Sequence, residues 1–180
     1  MGNDGARNIV KINKGPVVRT NDGTYKLALP KDHCEVLTHL ITELRDSLLT
    51  TTDDSSLRRL FPTAYHNDVK KDAEYQRLMR EELLASRLAS IETALEVIGA
   101  SNELSESEID AFARSINSLR LVIGTTLDIA ESAYGDLNIE SQQSNSPETE
   151  PHEEKLIQSE FYDYLGWLLE WTVGAQSEGL

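Results

Sequence analysis

Cysteine, proline and long apolar runs are all scarce in this chain. The single cysteine, Cys34, excludes an intramolecular disulfide and any metal site built on several thiolates. The longest apolar runs span only a few residues, which argues against a membrane-spanning helix. The N-terminal residues lack the apolar core of a signal peptide. We therefore expect a soluble, cytoplasmic protein with no membrane contact.

Basic residues are outnumbered as well. The chain has 17 Lys and Arg against 31 Asp and Glu, a formal net charge of −14. Such a chain has no general attraction to a phosphate backbone, so direct contact with nucleic acid is not expected. Residues 1–31 are the exception, with six basic and two acidic residues. This segment leaves one alternative open, a DNA-binding transcriptional regulator that uses its basic N-terminal segment.

Catalytic and cofactor motifs are also lacking. The sequence has no glycine-rich phosphate loop and no G-x-S-x-G motif. It has no Glu-x-x-His pair of the kind that holds di-iron centres in helical bundles. The nearest group of metal-ligand types is His33, Glu35 and His39, which we interpret as part of a helix surface. We predict a protein that is not an enzyme, with no catalytic residue, bound metal or cofactor.

What the sequence does have is helical periodicity. Its strongest pattern lies between Ser105 and Ser132 and predicts one long helix, with Ser105 and Glu108 as a capping box. The apolar stripe of this helix recurs at steps of three and four: Ile109, Phe112, Ile116, Leu119, Ile123, Leu127 and Ala130. We predict a mainly α fold, a bundle of about four long helices with a small N-terminal β-hairpin, and this helix as its spine.

Three further helices and the hairpin complete the prediction. The helices run from a capping box at Asp32 and Glu35 to about Leu49, from Asn67 or Asp68 to about Ile98, and from about His152 to Val173. In the second of these, the predicted core face includes Tyr75, Leu78 and Ile91. The turn sequence Asn21-Asp22-Gly23 predicts that Val17–Arg19 pairs with Tyr25–Leu29, with Ile9–Ile12 as a possible third strand.

The predicted domain organisation is simple. Residues 9–175 form a single helical domain, with the hairpin at 9–29 and a flexible acidic linker at 135–151. Residues 1–8 are expected to be a disordered tail, and residues 176–180 a frayed tail.

Two residues in the centre of the spine helix break local rules. Arg120 lies between Leu119 and Leu121, and a buried arginine needs a carboxylate or several carbonyl oxygens. We expect a structural ion pair; the alternative is a small-molecule or metal site in the bundle. Gly124 disfavours the helix by about 1 kcal/mol relative to Ala, which suggests close approach by another backbone. The nearest candidates are the Phe61-Pro62 corner and the last helix.

Cys34 lies in the first turn of the first predicted helix. The helix dipole favours a thiolate there, whereas Glu35 opposes it. The residue is therefore either a buried, unreactive thiol or a possible redox thiol.

Three patches carry a family resemblance: RRLFPTAY at 58–65, INSLRLVIGTTLDI at 116–129 and FYDYLGWLLEWTV at 161–173. They resemble the actinobacterial domain-of-unknown-function family named for the oxidative-stress regulator AosR. The most specific part of the likeness is a motif in the spine helix, formed by Asn117, Leu119, Arg120, Leu121, Gly124 and Thr125.

The resemblance implies a cytoplasmic, non-enzymatic protein of the transcriptional response to oxidants, acting through protein contacts that include sigma factors. Family members are typically encoded beside the proteolytic adaptor ClpS, so the expected protein partner belongs to the transcription or proteolysis machinery. Thiol sensing through an intramolecular disulfide would need a second cysteine, which leaves a Cys34–Cys34 bridge between subunits or no thiol sensing.

Two surfaces are candidates for partner binding. One is the corner that carries Arg58, Arg59, Phe61 and Tyr65. The other is the flank of the last helix where Trp167 and Trp171 lie four residues apart. Four helices with exposed tryptophans would leave apolar surface to cover, so a homodimer is also possible.

Overall fold

The structure is a computed structural model that describes residues 15–50, 54–100, 103–127 and 150–178. It confirms a mainly α fold with a two-stranded N-terminal hairpin. The elements in chain order are β1 (Val17–Arg19), β2 (Tyr25–Leu27), α1 (Lys31–Thr50), a 3-10 helix (Ser55–Leu60), α2 (Val69–Val97), α3 (Glu106–Thr126) and α4 (Glu150–Ser177). Among the described helices, none is both long and apolar enough to cross a membrane.

Several predictions fall outside the described residues. These are the tail at 1–8, the third strand at Ile9–Ile12, the linker from 135 to 149 and the last turn of the spine helix at 128–132. In the described part, the spine helix is α3, and it ends at Thr126.

Helix α3 is the centre of the bundle, in contact with α1, α2, α4 and the 3-10 helix. Its stripe is buried at Ile109, Phe112, Ile116 and Leu119. The predicted capping box is present: the Ser105 hydroxyl accepts from the Glu108 N–H at 3.3 Å, and the Glu108 carboxylate accepts from the Ser105 N–H at 2.7 Å. This arrangement satisfies two N–H groups that have no partner within the helix.

The ends of α1 and α4 differ from the prediction. Helix α1 begins at Lys31, so Asp32 lies inside the first turn and the predicted capping box at Asp32 and Glu35 is wrong. Helix α4 begins at Glu150, two residues before the predicted start, and takes in the last two residues of the predicted linker. It continues to Ser177, because Ala175 is buried and Gln176 bonds Glu106 at 3.4 Å. Residues 176 and 177 are therefore not a frayed tail.

Helix α2 has the predicted ends. The Asp68 side chain accepts from the N–H of Lys71 at 3.1 Å, and Gly99 follows the helix with a φ of +79°. The predicted core face, however, is too long. Full burial is confined to the C-terminal third at Ile91, Ala94 and Val97, whereas Leu78 is 60% exposed. At about 1.5 Å per residue α2 is longer than α3, and its N-terminal part extends past the core.

The hairpin is joined to the start of α3. Strands β1 and β2 pair antiparallel, with Val17 opposite Leu27. Tyr25 exchanges two backbone hydrogen bonds with Leu104, at 2.9 and 2.7 Å. The buried Tyr25 side chain also donates its hydroxyl hydrogen to the carboxylate of Glu106, in the first turn of α3. A hairpin this short is marginal alone, so these bonds and its packing on α4 hold it in place.

Candidate functional site

The predicted motif in α3 lies at the centre of the bundle. Leu119 is 4% exposed, and the buried Thr125 donates its hydroxyl hydrogen to the Leu121 carbonyl at 2.8 Å. Asn117, by contrast, lies on the exposed side of the helix. Most of this motif is therefore packed against other elements and does not form an open surface.

Gly124 is the point where α3 meets both α4 and the 3-10 helix. A Cβ at position 124 would lie 2.9 Å from Cε2 of Tyr162 in α4 and 3.2 Å from Nη1 of Arg59 in the 3-10 helix. The predicted close approach is confirmed for the last helix, whereas the second neighbour is Arg59 of the 3-10 helix and not the Phe61-Pro62 corner that follows it. The prediction is wrong in a further respect, because side chains and not backbone fill the space.

Arg120 has a different partner from the one predicted. Its guanidinium carbon lies 4.2 Å from the centre of the Tyr162 ring, and its Nε would be 3.4 Å from a Cβ at Gly166. Among the described residues no carboxylate pairs with it, and its buried Nε has no hydrogen-bond partner. The expected ion pair is therefore replaced by stacking on an aromatic ring, which also stabilises a cation.

The corner before α2 is only partly available to a partner. The half-buried Phe61 is covered by Arg80, whose guanidinium lies 4.4 Å from the ring centre. Tyr65 is 47% exposed, and its N–H is bonded by Asp72 at 3.1 Å. Arg58 is exposed. The corner therefore presents a small, polar surface around Arg58 and Tyr65.

The two tryptophans of α4 have different environments. Trp171 is half-buried against the start of the hairpin, since a Cβ at Gly15 would lie 2.2 Å from its ring. Trp167 is 45% exposed and belongs to a different cluster, with its ring centre 5.8 Å from that of Tyr164. Tyr162, which meets the corner through Gly124, is five residues from Trp167 and lies on another side of the helix. The two predicted partner surfaces are therefore separate.

An aromatic face joins α1 and α4 around Trp167. We define the aromatic face as His33, Val36, Phe161, Tyr164 and Trp167. The Phe161 and Tyr164 ring centres are 5.7 Å apart, and Tyr164 meets His33 edge to face at 5.1 Å. The Tyr164 hydroxyl and His33 Nδ1 are joined by a hydrogen bond of 3.0 Å. Burial raises the pKa of Tyr164 above its ordinary value, so this phenol stays protonated at neutral pH.

The aromatic face contains a small cavity with an acidic border. The cavity has a volume of about 190 Å³ and is lined by Asp32, His33, Val36, Phe161 and Tyr164. Val36 is 46% exposed, so apolar side chains remain open to water here. Asp32, Glu160 and Asp163 are all exposed on the same two helices. The site can accept an apolar side chain while its border attracts positive charge.

Cys34, next to His33 in the sequence of α1, does not line this cavity. It is half-buried, and its thiol hydrogen points to the carbonyl of Leu29 at 3.9 Å. Burial is the main effect that raises the pKa of Cys34, and the nearby Asp32 and Glu35 raise it further. The thiolate, which is the reactive form, is disfavoured.

The basic residues of the hairpin already have partners. Lys26 pairs with Glu103 at 2.9 Å, and the Arg19 guanidinium lies 5.9 Å from the Tyr25 ring centre. In the residues that the structure describes, no three His, Cys, Asp or Glu side chains come together as a metal site. Neither observation favours the DNA-binding or metal-binding alternative.

Sequence reasoning missed Arg87 and the open character of Phe161 and Tyr164. Arg87 occupies a position four residues from Leu83 and four from Ile91, on the apolar stripe of α2. A charged residue on an apolar stripe indicates an unusual environment, and this signal was available for Arg87 as it was for Arg120. For the aromatic pair the sequence holds no such signal, because the exposure of a ring depends on which other elements cover it.

Comparisons with known proteins place the chain in a family. Searches of curated proteins and of solved structures return no match. A family model described as "Domain of unknown function (DUF2017)" matches residues 14–176, which include every described helix but for the last residue of α4. The chain belongs to the DUF2017 domain family.

Proposed function

We propose that this protein is a non-enzymatic, cytoplasmic regulatory module that acts by binding another protein through the aromatic face. The observation that carries the proposal is the open cavity between α1 and α4, lined by Tyr164 and by Val36, which is 46% exposed. Trp167, which is 45% exposed, lies beside Tyr164 with the two ring centres 5.8 Å apart. Aromatic side chains beside a small apolar pocket are typical of the residues that dominate protein–protein binding energy.

The charge around the face indicates the chemistry of the partner. Asp32 lines the cavity, Glu160 and Asp163 are exposed next to Phe161 and Tyr164 in the sequence of α4, and the whole chain carries −14. A partner segment with one apolar side chain for the cavity, flanked by Lys or Arg, matches both properties. The likeness of residues 58–65, 116–129 and 161–173 to an oxidative-stress regulator family supports a partner in the transcription or proteolysis machinery.

A second copy of the chain fits this face less well. In a two-fold symmetric dimer the same patch is used by both subunits. The acidic border of one subunit would then meet the acidic border of the other, and like charges at an interface disfavour association. We therefore propose that a basic, apolar segment of a different protein binds the aromatic face.

Capture from oxidant-stressed cells tests the proposal with matched variants. Wild-type protein, Trp167→Ala and Leu78→Ala are used as bait. Leu78 is the control because it is an apolar side chain on α2 that is more exposed than Trp167, 60% against 45%. We expect wild type and Leu78→Ala to retain the same transcription or proteolysis component, and Trp167→Ala to lose it. Truncating a central aromatic residue typically weakens binding by about 2 kcal/mol or more, roughly thirtyfold.

The captured component must then bind through a segment of the stated chemistry. A synthetic peptide of that segment should displace it, and a version with Lys and Arg replaced by Gln should not. Equal capture by all three baits, or capture of a second copy of this chain alone, would contradict the proposal.

A further inference from the structure

A second cavity lies between α2 and α3, away from the aromatic face. Its volume is about 220 Å³, and it is lined by Leu83, Ser86, Arg87, Ser90, Arg114, Asn117 and Ser118. Six of these seven residues are polar, two are arginines and none is acidic. This is a local concentration of hydrogen-bond donors and positive charge in a chain whose net charge is −14.

Arg87 is the innermost cation of this cavity. Its Nε and Nη2 donate to the Leu60 carbonyl at 3.2 and 2.8 Å, and its Nη1 donates to the Ser118 hydroxyl at 3.0 Å. A guanidinium has five N–H groups, so two are left over. These partners are neutral oxygens, and burial lowers the pKa of Arg87 because the charge is partly removed from water. A partly buried cation without a counter-ion is unfavourable, and an anion in the cavity would relieve that.

The remaining lining residues can complete an anion site. Arg114 bonds Asp110 at 2.9 Å through Nε, and its side chain is 62% exposed, which leaves its terminal nitrogens able to turn toward the cavity. The side chains of Ser86 and Asn117 make no hydrogen bond to another described residue. Both are neutral donors at the mouth of the cavity.

We propose that this cavity binds a small phosphate-bearing anion, held by Arg87 and Arg114 with Asn117 and Ser86 as further donors. Phosphate matches a site with two guanidinium groups and several neutral donors, because it carries more than one negative charge and presents several acceptor oxygens. The proposal is independent of the aromatic face, which lies on α1 and α4.

An NMR titration of the full chain with inorganic phosphate at low, constant ionic strength tests the site. We expect saturable shifts of backbone amides confined to 86–90 and 114–118. Arg114→Gln should weaken binding about tenfold, the loss of one charge-assisted contact. Arg77→Gln removes an exposed arginine from the same helix as Arg87 and should leave binding unchanged.

Two further arms make the test decisive. If adenosine monophosphate binds more tightly than phosphate at the same residues, the site recognises a larger phosphate-bearing ligand. If the two bind equally, the site recognises the phosphate group alone. Ser86→Glu supplies a carboxylate at the mouth and should abolish the phosphate response while raising the melting temperature; Ala85→Glu, exposed and one position away, should do neither. Non-saturating shifts, shifts that chloride reproduces, or equal binding by wild type and Arg114→Gln would overturn the proposal.

Discussion

At the scale of single residues, Gly124 and Arg120 determine how α4 rests on α3. Tyr162 occupies the space above Gly124, and Arg120 lies over the same tyrosine ring. The ring is therefore in contact with α3 at both positions, which limits its movement away from a larger residue at 124. The packing of α4 on α3 therefore depends on the missing side chain at Gly124 and on the flat ring of Tyr162.

Replacing Gly124 by Ala should destabilise the fold. The new Cβ would lie 2.9 Å from Tyr162, and overpacking of about 1–3 kcal/mol should exceed the helix-propensity gain of about 1 kcal/mol. Gly174, in α4, is the matched control, since a Cβ there meets nothing within 4 Å. Gly174→Ala should stabilise by about 0.5–1 kcal/mol. Urea unfolding measures both changes, and a shift of the same sign in both variants would contradict this account.

Cys34 should be a slow nucleophile in the native protein. Burial and neighbouring acids raise its pKa, so the folded state favours the thiol. Alkylation by iodoacetamide at pH 7 should be at least about tenfold slower in native protein than in urea-unfolded protein. The same shift stabilises the fold below the unfolded thiol's pKa of about 8.5, and that stabilisation is lost as pH rises through the higher folded pKa. Equal labelling rates, or a disulfide-linked dimer after peroxide treatment, would revive Cys34 as a redox thiol.

At the scale of elements, Arg87 connects three parts of the chain. It extends from α2 to the last carbonyl of the 3-10 helix and to Ser118 in α3. The carbonyl of Leu60 precedes the Phe61-Pro62 corner, so the direction of the chain before α2 is fixed by this side chain. The packing of the three elements and the hydrogen bonds of Arg87 both stabilise this junction.

Arg87→Met should loosen the junction. It removes bonds to a carbonyl and a hydroxyl, and we expect a loss of about 2 kcal/mol in the free energy of unfolding. Arg77→Met, on the exposed side of α2, should change it by less than about 0.5 kcal/mol. Denaturant unfolding of both variants gives the comparison. If Arg87→Met left the free energy of unfolding unchanged, the guanidinium would make no net contribution to stability.

The structure also shows which features of these elements sequence patterns can predict. The four long helices, the hairpin turn, the cap at Ser105 and the glycine after α2 follow from local chemistry and were predicted, and Asp68 is one of the two caps proposed for α2. The start of α1 and the extra turn of α4 were not, because they depend on tertiary contacts such as that of Gln176 with Glu106. Periodicity likewise identified Arg120 as unusual but could not indicate that an aromatic ring is its partner.

At the scale of the whole molecule, the two candidate sites have opposite electrostatic character. The cavity of the aromatic face is lined by Asp32, and Glu160 and Asp163 are exposed next to Phe161 and Tyr164 in the sequence of α4, whereas the cavity between α2 and α3 is lined by Arg87 and Arg114. Sequence periodicity could not have predicted either site, because each is assembled from two helices far apart in the chain. The net charge of −14 favours a cationic partner at the first site and opposes long-range attraction of anions to the second.

Site-specific photo-crosslinking in cells tests the central claim, that the aromatic face binds a different protein. A photoreactive phenylalanine derivative replaces Val36, Trp167 or Leu78 in turn, which gives one position of the aromatic face on α1, one on α4 and one exposed control on α2. We predict that positions 36 and 167 crosslink to the same partner protein through a basic, apolar segment, and that position 78 does not. Crosslinks to another copy of this chain, to different proteins from 36 and 167, or equally from 78, would contradict the claim.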